Sequence, residues 1–497
     1  MKTKNGILSF VFFTISFLVF SQDGVLDPSF GDNGIVTMDF YNYKDYSFGI
    51  SQQNSGKIIS TGQIETENDI SQGSLVRFQT NGSLDTTFGN DGVVLLDLGT
   101  YFYYYNTIFS LDNDELIAGG TIGNWGEKDF IISKFMPNGD VDSGYGVNGN
   151  KIIDFLTEDD VLLQTIQHNG KTLAMGRSKV GSEYFISLAK LLPSGELDTD
   201  FGIDGLLTLD INEGYFNSFS ASLQDDNSII LSFTEDLNSN NRANKIIKLL
   251  ENGTIDNTFG NDGVIEILFS DVNNIRSTIE VDSNNKILFM ITQDIELDVY
   301  SSSISRYTST GNLDTTFGTN GFYNFETSFY SRKIIIQPNS RILIGGGIPG
   351  FESSQFVLKR LFDNGTIDNS LNENIYGNFE NSDFILQEDG KILATGSTYW
   401  YDGPEDMVLV RYNNDPLSIS DNNIKNLIVF PNPSKGIFNI THGFIVSETT
   451  YQILDITGKL IQQGNMSGEQ TQLDISQFEN GVYLFTSEGS TVRLIKN

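Results

Sequence analysis

The nine residues from Leu26 to Gly34, Leu-Asp-Pro-Ser-Phe-Gly-Asp-Asn-Gly, return at Leu84 to Gly92 as Leu-Asp-Thr-Thr-Phe-Gly-Asn-Asp-Gly and at Val141 to Gly149 as Val-Asp-Ser-Gly-Tyr-Gly-Val-Asn-Gly, about 57 positions apart each time. Further copies begin at Leu197, Ile255 and Leu313, and a decayed seventh at Ile367. A fixed period of this length means one supersecondary unit repeated, whose hydrophobic face is buried only by stacking on its neighbours. The period therefore decides the fold before any single residue does.

Within the second copy, Val93 to Leu98, Asn106 to Asp112, Glu115 to Gly120 and Phe130 to Met136 are short runs rich in β-branched and aromatic residues. Gly, Asn and Asp clusters separate them, and no window keeps a helical period over ten residues, so the unit reads as four strands. A second marker recurs between the second and third runs: Gly56-Lys57, His168 to Lys171, Asn284 to Lys286 and Asp389 to Lys391 are tight turns that need positive φ. Less regular turns fill the same place at Asn113-Asp114, Asp226-Asn227 and Asn339-Ser340, so this marker also appears seven times. The expected fold is all-β, a seven-bladed β-propeller over residues 22–413, because both terminal units lie close to the consensus, whereas an open solenoid needs atypical caps. The phrase from Asp27 to Gly34 has no strand before it and is expected to pack beside the seventh unit and help close the ring. The repeat resembles the delta-60 repeat over most of residues 23–413, a resemblance that implies no known ligand or reaction.

Composition narrows the partners. Thirty Lys and Arg against 64 Asp and Glu give a formal net charge of -34, which repels nucleic-acid phosphates and anionic lipid. The absence of Cys removes disulfides, thiolate nucleophiles and a lipidated cysteine. Lys2 and Lys4 ahead of the apolar run Ile7 to Phe20 read as a secretory signal peptide, residues 1–21, with cleavage expected after Ser21. The run is short for a spanning helix and nothing later approaches that length, so no membrane-spanning segment is expected.

The recurring acidic phrase raises calcium as a cofactor. Before its closing Gly stands Asn33, Asp91, Asn148, Asp204, Asp262 or Asn320, an exchange that suits a left-handed turn better than a metal ligand. The leading acid is always a carboxylate: Asp27, Asp85, Asp142, Asp198, Asp256, Asp314 and Asp368. These are expected to accept two or three backbone N–H bonds as structural turn residues. No metal or cofactor is expected, calcium being the one candidate. The recurring Phe30, Phe88, Phe201, Phe259 and Phe317, with Tyr145 in one copy, are expected to pin neighbouring blades together.

Alternating strand directions put the tight turns and the phrases on one face and irregular insertions on the other. Variable loops on a rigid scaffold are where binding concentrates, and the aromatics there, Tyr43, Tyr103, Trp125, Trp400 and Tyr401, are the candidate ligand-binding residues, for a glycan above all. Catalysis has few candidates. The two histidines, His168 and His442, lie apart from any nucleophile and read as surface residues. The acids Asp159, Asp160, Glu296, Asp298, Glu405 and Asp406 fall on the loop face, where solvation is their simplest role. The expected function is a non-catalytic binding module for an extracellular glycan or surface protein; the alternatives are a carboxylate-dependent polysaccharide enzyme and a structural surface protein.

After Asn413 the period stops. A polar linker, residues 414–425, leads into residues 426–497, where alternating apolar residues around Gly and Asn turns indicate a small β-sandwich. Pro431-Asn432-Pro433-Ser434-Lys435-Gly436, then Thr457-Gly458-Lys459, then Leu473-Asp474 through Gly481 and Tyr483, with Arg493 and Lys496 at the end, strongly resemble the type A C-terminal sorting domain of type IX secretion found in Bacteroidetes. The resemblance implies the type IX machinery and its surface peptidase as partners. It also implies passage to the cell surface or medium and removal of the domain. A chain ending at Lys425 should accumulate in the periplasm when cell fractions are immunoblotted; normal export of that chain would defeat the assignment.

Overall fold

The structure, a computed structural model, describes residues 23–66, 70–96, 98–99, 102–124, 126–156, 158–210, 218–237, 241–270, 272, 274–296, 299–348, 355–371, 376–377, 379–398, 405–414, 428–430, 432–455, 459–487 and 490–497. The expected signal peptide and almost all of the expected linker lie outside them. The chain divides into two compact units, Met1–Leu417 and Ser418–Asn497. Every element described is a strand, and no helix among the described residues is long and apolar enough to cross a membrane.

Among the described residues the first unit contains seven four-stranded antiparallel sheets, the blades of a β-propeller. Blade 1 is Asp45–Gln52, Ile58–Thr66, Ile70–Phe78 and Val93–Leu96, in sequence order from the inner strand outward. Blades 2 to 6 repeat this order, beginning at the inner strands Phe102–Ser110, Val161–His168, Phe219–Leu223, Asn274–Val281 and Tyr330–Ile336. Blade 7 takes Phe379–Leu386, Ile392–Thr398 and Met407–Tyr412 from the end of the repeats, and its outer strand, Ile35–Met38, from the beginning. Leu26 also bridges Tyr412, and the amide of Asp27 donates to Arg411 O at 2.8 Å. The N-terminal phrase thus lies on the seventh sheet, and the chain clasps its own two ends.

The blades are cut differently from the sequence unit. Val93 to Leu98 heads the repeat by periodicity, but Val93–Leu96 pairs with Ile70–Phe78 of the preceding repeat, with Val76 opposite Val93. The phrase causes this. The Asp85 amide donates to Arg77 O at 2.8 Å and the Arg77 amide to Gly92 O at 3.0 Å, so the connector folds back on the strand it has just left. A periodic pattern has no intrinsic starting point, and only these hydrogen bonds fix the phase.

Burial lies between blades. One cluster joins Leu173, Met175, Ile186 and Leu188 of blade 3 to Leu231, Phe233 and Leu249 of blade 4 through Phe201 of the phrase between them. Phe30, Phe88, Tyr145, Phe201, Phe259 and Phe317 are all at most 1% exposed, as expected of pins. Each ring sits beneath a glycine of the next repeat: a Cβ on Gly82 would lie 2.9 Å from Phe30 Cε2, and one on Gly139 would lie 2.9 Å from Phe88 Cε2. The amide of the next phrase residue crosses the same seam, as in Gly89 N–H to Asn138 O at 2.9 Å and Gly202 N–H to Asn252 O at 2.9 Å.

The second unit is a five-stranded network around Ile437–Asp455, a strand whose register shifts between Thr441 and Val446 and again before Thr449. Ile428–Phe430 pairs with the early part of that strand, and Gly481–Ser487 with its end. Phe438, Ile440, Ile453, Leu473, Ile475, Phe485 and Leu494 form its core.

Gly139 has φ +93° and contact on two sides, whereas Gly126, at φ +82°, has nothing within 4 Å of an added Cβ. Gly126→Ala should therefore cost only the backbone penalty, about 1 kcal/mol. Gly139→Ala should cost about 2 kcal/mol or more, because the Phe88 ring must also move. Urea midpoints of the two variants check this; equal midpoints would show that the ring does not depend on the close approach.

Candidate functional site

Two features of the propeller carry chemistry: a charged clasp in each phrase and a channel on the axis. In the clasp, Asp85 Oδ1 accepts the Thr87 amide at 3.2 Å and its hydroxyl at 2.7 Å, while Oδ2 faces Arg77 Nε at 2.7 Å and Lys57 Nζ at 2.8 Å. Asp27 repeats the arrangement with Ser29, Arg411 and Lys391, Asp314 with Thr316, Arg306 and Lys286, and Asp368 with Ser370, Arg360 and Arg341. Asp198 faces Lys171 and Lys190, Asp142 faces Lys134, and Asp256 faces Lys248. The guanidinium also stacks on the pin, with Arg77 Cζ 4.5 Å from the Phe88 ring centre and Arg411 Cζ 4.4 Å from that of Phe30. Arg306 Nη1 then reaches Asp363 O, 2.6 Å away in the next repeat.

The leading acid is therefore not a collector of two or three backbone N–H groups. In six copies it accepts one, two residues ahead, and in all seven it turns an oxygen to a Lys or Arg. This is why a carboxylate stands in every copy. The signal was present in sequence: Arg77, Lys134, Lys190, Lys248, Arg306 and Arg360 each stand eight residues before the acid they meet. The residue before the closing Gly behaves as a turn residue, with φ between 50° and 54° at Asn33, Asp91, Asn148, Asp204, Asp262 and Asn320. The tight turns have positive φ in all seven blades, at Gly56, Asp114, Asn169, Asn227, Asn285, Ser340 and Gly390.

The seven inner strands converge on a channel of about 670 Å³. Five of them carry a register irregularity at the same place, skipping Phe48, Asn106, Leu163, Arg332 and Ser382, all of which line the channel. A bulge turns an extra side chain out of the pleat. The wall mixes polar and apolar side chains, and neighbouring blades bond across it: Thr107 to Thr165 at 2.5 Å, Gln164 Nε2 to Ala221 O at 3.0 Å, and Lys333 Nζ to Asp383 Oδ1 at 2.8 Å. Glu280 is the acid sequence reasoning missed. Enclosure in the wall pushes its carboxyl up to about 7, against the pull of Lys333 and the Ser222 hydroxyl.

At the irregular-face end of this wall, Phe48 lies 6.0 Å from the Tyr46 ring in a stack and 6.0 Å from Tyr104 edge to face. Tyr330 has Arg276 at 5.0 Å and Arg332 at 5.3 Å from its ring centre. Of the expected binding residues, Tyr43 is half-buried in the turn before the first inner strand, and Tyr103 lies in the strand Phe102–Ser110. Trp125, Trp400 and Tyr401 lie outside the described residues. Two expectations of exposure fail. His168 is fully buried, with Nε2 2.8 Å from Asn227 O of the next blade, where Gln53 and Gln224 make the equivalent contact in theirs. Asp160 is fully buried as well. The His442 side chain lies outside the described ones.

In the second unit the motif residues hold the domain's end. Asn432 Nδ2 donates to Arg493 O at 2.6 Å, and Asn432 Oδ1 accepts the Ile495 amide at 2.8 Å. Gly436, at φ +115°, leaves only 2.6 Å between an added Cβ and Ser476 Cα. Asp474 Oδ1 accepts the Ser476 amide at 2.8 Å and the Tyr483 hydroxyl donates to Glu479 O at 2.7 Å, while Gly481 opens the strand Gly481–Ser487. Pro433 follows Asn432 in the same turn; Pro431 and Gly458 lie outside the described residues.

Comparison with known families agrees with both units. Residues 428–497 match the secretion system C-terminal sorting domain, and residues 53–88, 167–201, 224–259 and 387–415 match a domain of unknown function (DUF5122) beta-propeller. The chain is a β-propeller protein bearing a type IX C-terminal sorting domain, and that domain directs its export to the cell surface or extracellular space. No curated protein matches it. Among solved structures it is similar to the polysaccharide lyase Uly1, at 13% identity over 80% of this chain and 98% of that one with a TM-score of 0.47. It is also similar to the ulvan lyase of family PL25, at 10% identity over 76% and 96% with a TM-score of 0.47. Sqt1 from Chaetomium thermophilum matches at 10% identity over 79% and 97%, with a TM-score of 0.38. At these values the likenesses bring neither ligand nor reaction to this chain.

The clasp sets a pH dependence. Burial works to raise Asp27, but the Ser29 hydroxyl, Lys391 and Arg411 bring its carboxyl down to about 2; Asp85, Asp314 and Asp368 are held well below the usual carboxylate range in the same way. A folded-state pKa below the unfolded one gives stability that is present above about pH 4 and lost as the pH falls through the folded value. The melting temperature should fall steeply between pH 4 and pH 2. Asp27→Asn, which leaves Arg411 buried without its partner, should cost about 3–5 kcal/mol at pH 7. That difference should narrow toward pH 2; a constant difference across the range would show that the charge is not what stabilises.

Proposed function

We propose that the protein is a non-catalytic binding module, delivered to the cell surface or medium, that takes an extracellular glycan at the irregular-face mouth of the channel. The observation carrying this reading is the channel wall: hydroxyls and amides from several blades, a Lys333–Asp383 pair, and the Phe48 and Phe219 rings on a scaffold fixed by seven interlocked sheets. Such a wall offers donors and acceptors to sugar hydroxyls and apolar surface to a ring face. The stack of Tyr46 on Phe48, with Tyr104 edge-on to Phe48, extends that apolar surface across blades 1 and 2. The net charge of -34 favours neutral polymers, or ones that meet the Arg332 and Lys333 side of the wall, over strongly anionic ones at large.

A second reading has one observation in its favour. Glu280, with its carboxyl near 7, has the protonation behaviour of a general acid, as a carboxylate-dependent polysaccharide enzyme requires. One experiment separates the two. The full chain is incubated with a panel of insoluble polysaccharides while protein retention and release of new chain ends are both recorded. Retention without release, kept in Glu280→Gln and weakened at least tenfold in Phe48→Ala, is the expected outcome. Release that disappears in Glu280→Gln would replace the binding module with the enzyme, and neither signal would leave a structural surface protein.

A further inference from the structure

Where blade 2 meets blade 3, three carboxylates converge from separate elements. Asp129 lies in the strand Glu127–Phe135, Asp154 follows the strand Asn150–Ile153, and Asp160 immediately precedes the inner strand Val161–His168. One carboxylate oxygen from each lies within 4.8 Å of those of the other two. Asp160 is held from both sides: its amide donates to Lys128 O at 2.6 Å, and its Oδ2 accepts the Phe155 amide at 2.7 Å. Its side chain is fully buried, yet Oδ1 has no hydrogen-bond partner. The neighbouring Ser178 hydroxyl donates its proton to Ser187 at 2.6 Å. A buried carboxylate with an unpartnered oxygen beside two other acids is an arrangement folding does not favour unless something positive joins it.

The cluster is not an accident of an acidic composition, because the fold builds its positions twice. At the junction of blade 7 and blade 1, Asp39 follows the strand Ile35–Met38, Asp45 opens the inner strand Asp45–Gln52, and Asp406 precedes Met407–Tyr412. Asp45 Oδ2 accepts the Phe40 amide, its own amide donates to Glu405 O at 2.7 Å, its side chain is fully buried and its Oδ1 again has no partner. The charged neighbours acting on Asp129 are Asp154 and Glu127, and those acting on Asp160 are Asp129 and Asp154. All are acidic, and with burial they push both carboxyls up to about 6. The nearby Lys128 ammonium pairs with Asp159 at 3.5 Å.

We propose that Asp129, Asp154 and Asp160 form a calcium site that ties blade 2 to blade 3. The donor set is three carboxylates with no imidazole or thiolate, which selects a hard cation. Oxygens bound to one calcium at about 2.4 Å lie no farther apart than about 4.8 Å, and the three carboxylate oxygens fall within that limit. Calcium's tolerance of six to eight oxygens in flexible geometry suits a junction where water completes the shell beside the exposed Asp154; magnesium's strict octahedron suits it less. The site is distinct from the phrase acids, whose oxygens are taken up by Lys and Arg.

The full chain, stripped with chelator, is titrated with calcium chloride by equilibrium dialysis to count bound ions, and melted with and without about 2 mM calcium. The wild type should bind calcium and gain about 3 °C or more. Asp160→Asn should bind one ion fewer per chain and, relieved of a crowded charge, should melt in chelator no lower than the wild type. Asp154→Asn, at an exposed position, should likewise lose one ion. A wild type that binds none, or variants that bind the wild-type number, would overturn the site. Magnesium bound in the same number at the same concentration would overturn its assignment to calcium.

Discussion

An ion pair between the first acid of each phrase and a Lys or Arg of the strand just completed, eight residues earlier in six copies and Arg411 for Asp27, ties the propeller together. It closes the connector onto the strand just left, sets the register of the blade's outer strand, and places the basic side chain over an aromatic pin that the next repeat covers with a glycine. A buried charge pair is a poor source of net stability compared with apolar packing, but it strongly penalises any arrangement that separates its members. Repeated seven times, the clasp selects one phase and one blade order from the many that a periodic sequence permits. Its last copy joins Asp27 to Arg411 and so makes the two ends of the repeat array one sheet.

The clasps also change the meaning of the composition. Twelve of the 30 Lys and Arg side chains face these acids and are withdrawn from the outer surface. The solvent-facing surface is therefore more acidic than the balance of residues alone suggests. Against it, Arg332 and Lys333 line one side of the channel, and the Tyr330 ring has Arg332 and Arg276 at 5.3 and 5.0 Å from its centre. The inner wall is chemically unlike the outside, with polar groups that bond from blade to blade and an enclosed carboxyl at Glu280.

The site was less legible than the scaffold. The aromatic insertions stand out in the sequence as departures from the period, but the channel residues do not. Ser220, Thr165 and Glu280 look like ordinary alternation in short strands until seven strands are brought around one axis. His168 shows the same limit from the other side: a histidine before Asn-Gly reads as a surface turn, yet it occupies a position where Gln53 and Gln224 reach the neighbouring blade, and it is buried to do so. Asp160 reads as a loop acid next to Asp159, and its burial depends on a backbone bond to Lys128 of the preceding blade.

What the sequence determined by itself was whatever is local and repeated: the strands, the left-handed turn positions at Asn33 or Asp91, the aromatic pins, the count of seven markers, and the sorting motif whose Asn432 and Gly436 fit one tight turn. These follow from the spacing of apolar residues and from steric limits on φ, which act within a few residues. Only the tertiary structure decided where each blade begins, which acids are neutralised, which remain crowded at Asp129, Asp154 and Asp160, and which side chains line the channel. Those outcomes depend on hydrogen bonds and charges meeting across blades, and a linear period holds no record of which face its neighbour presents.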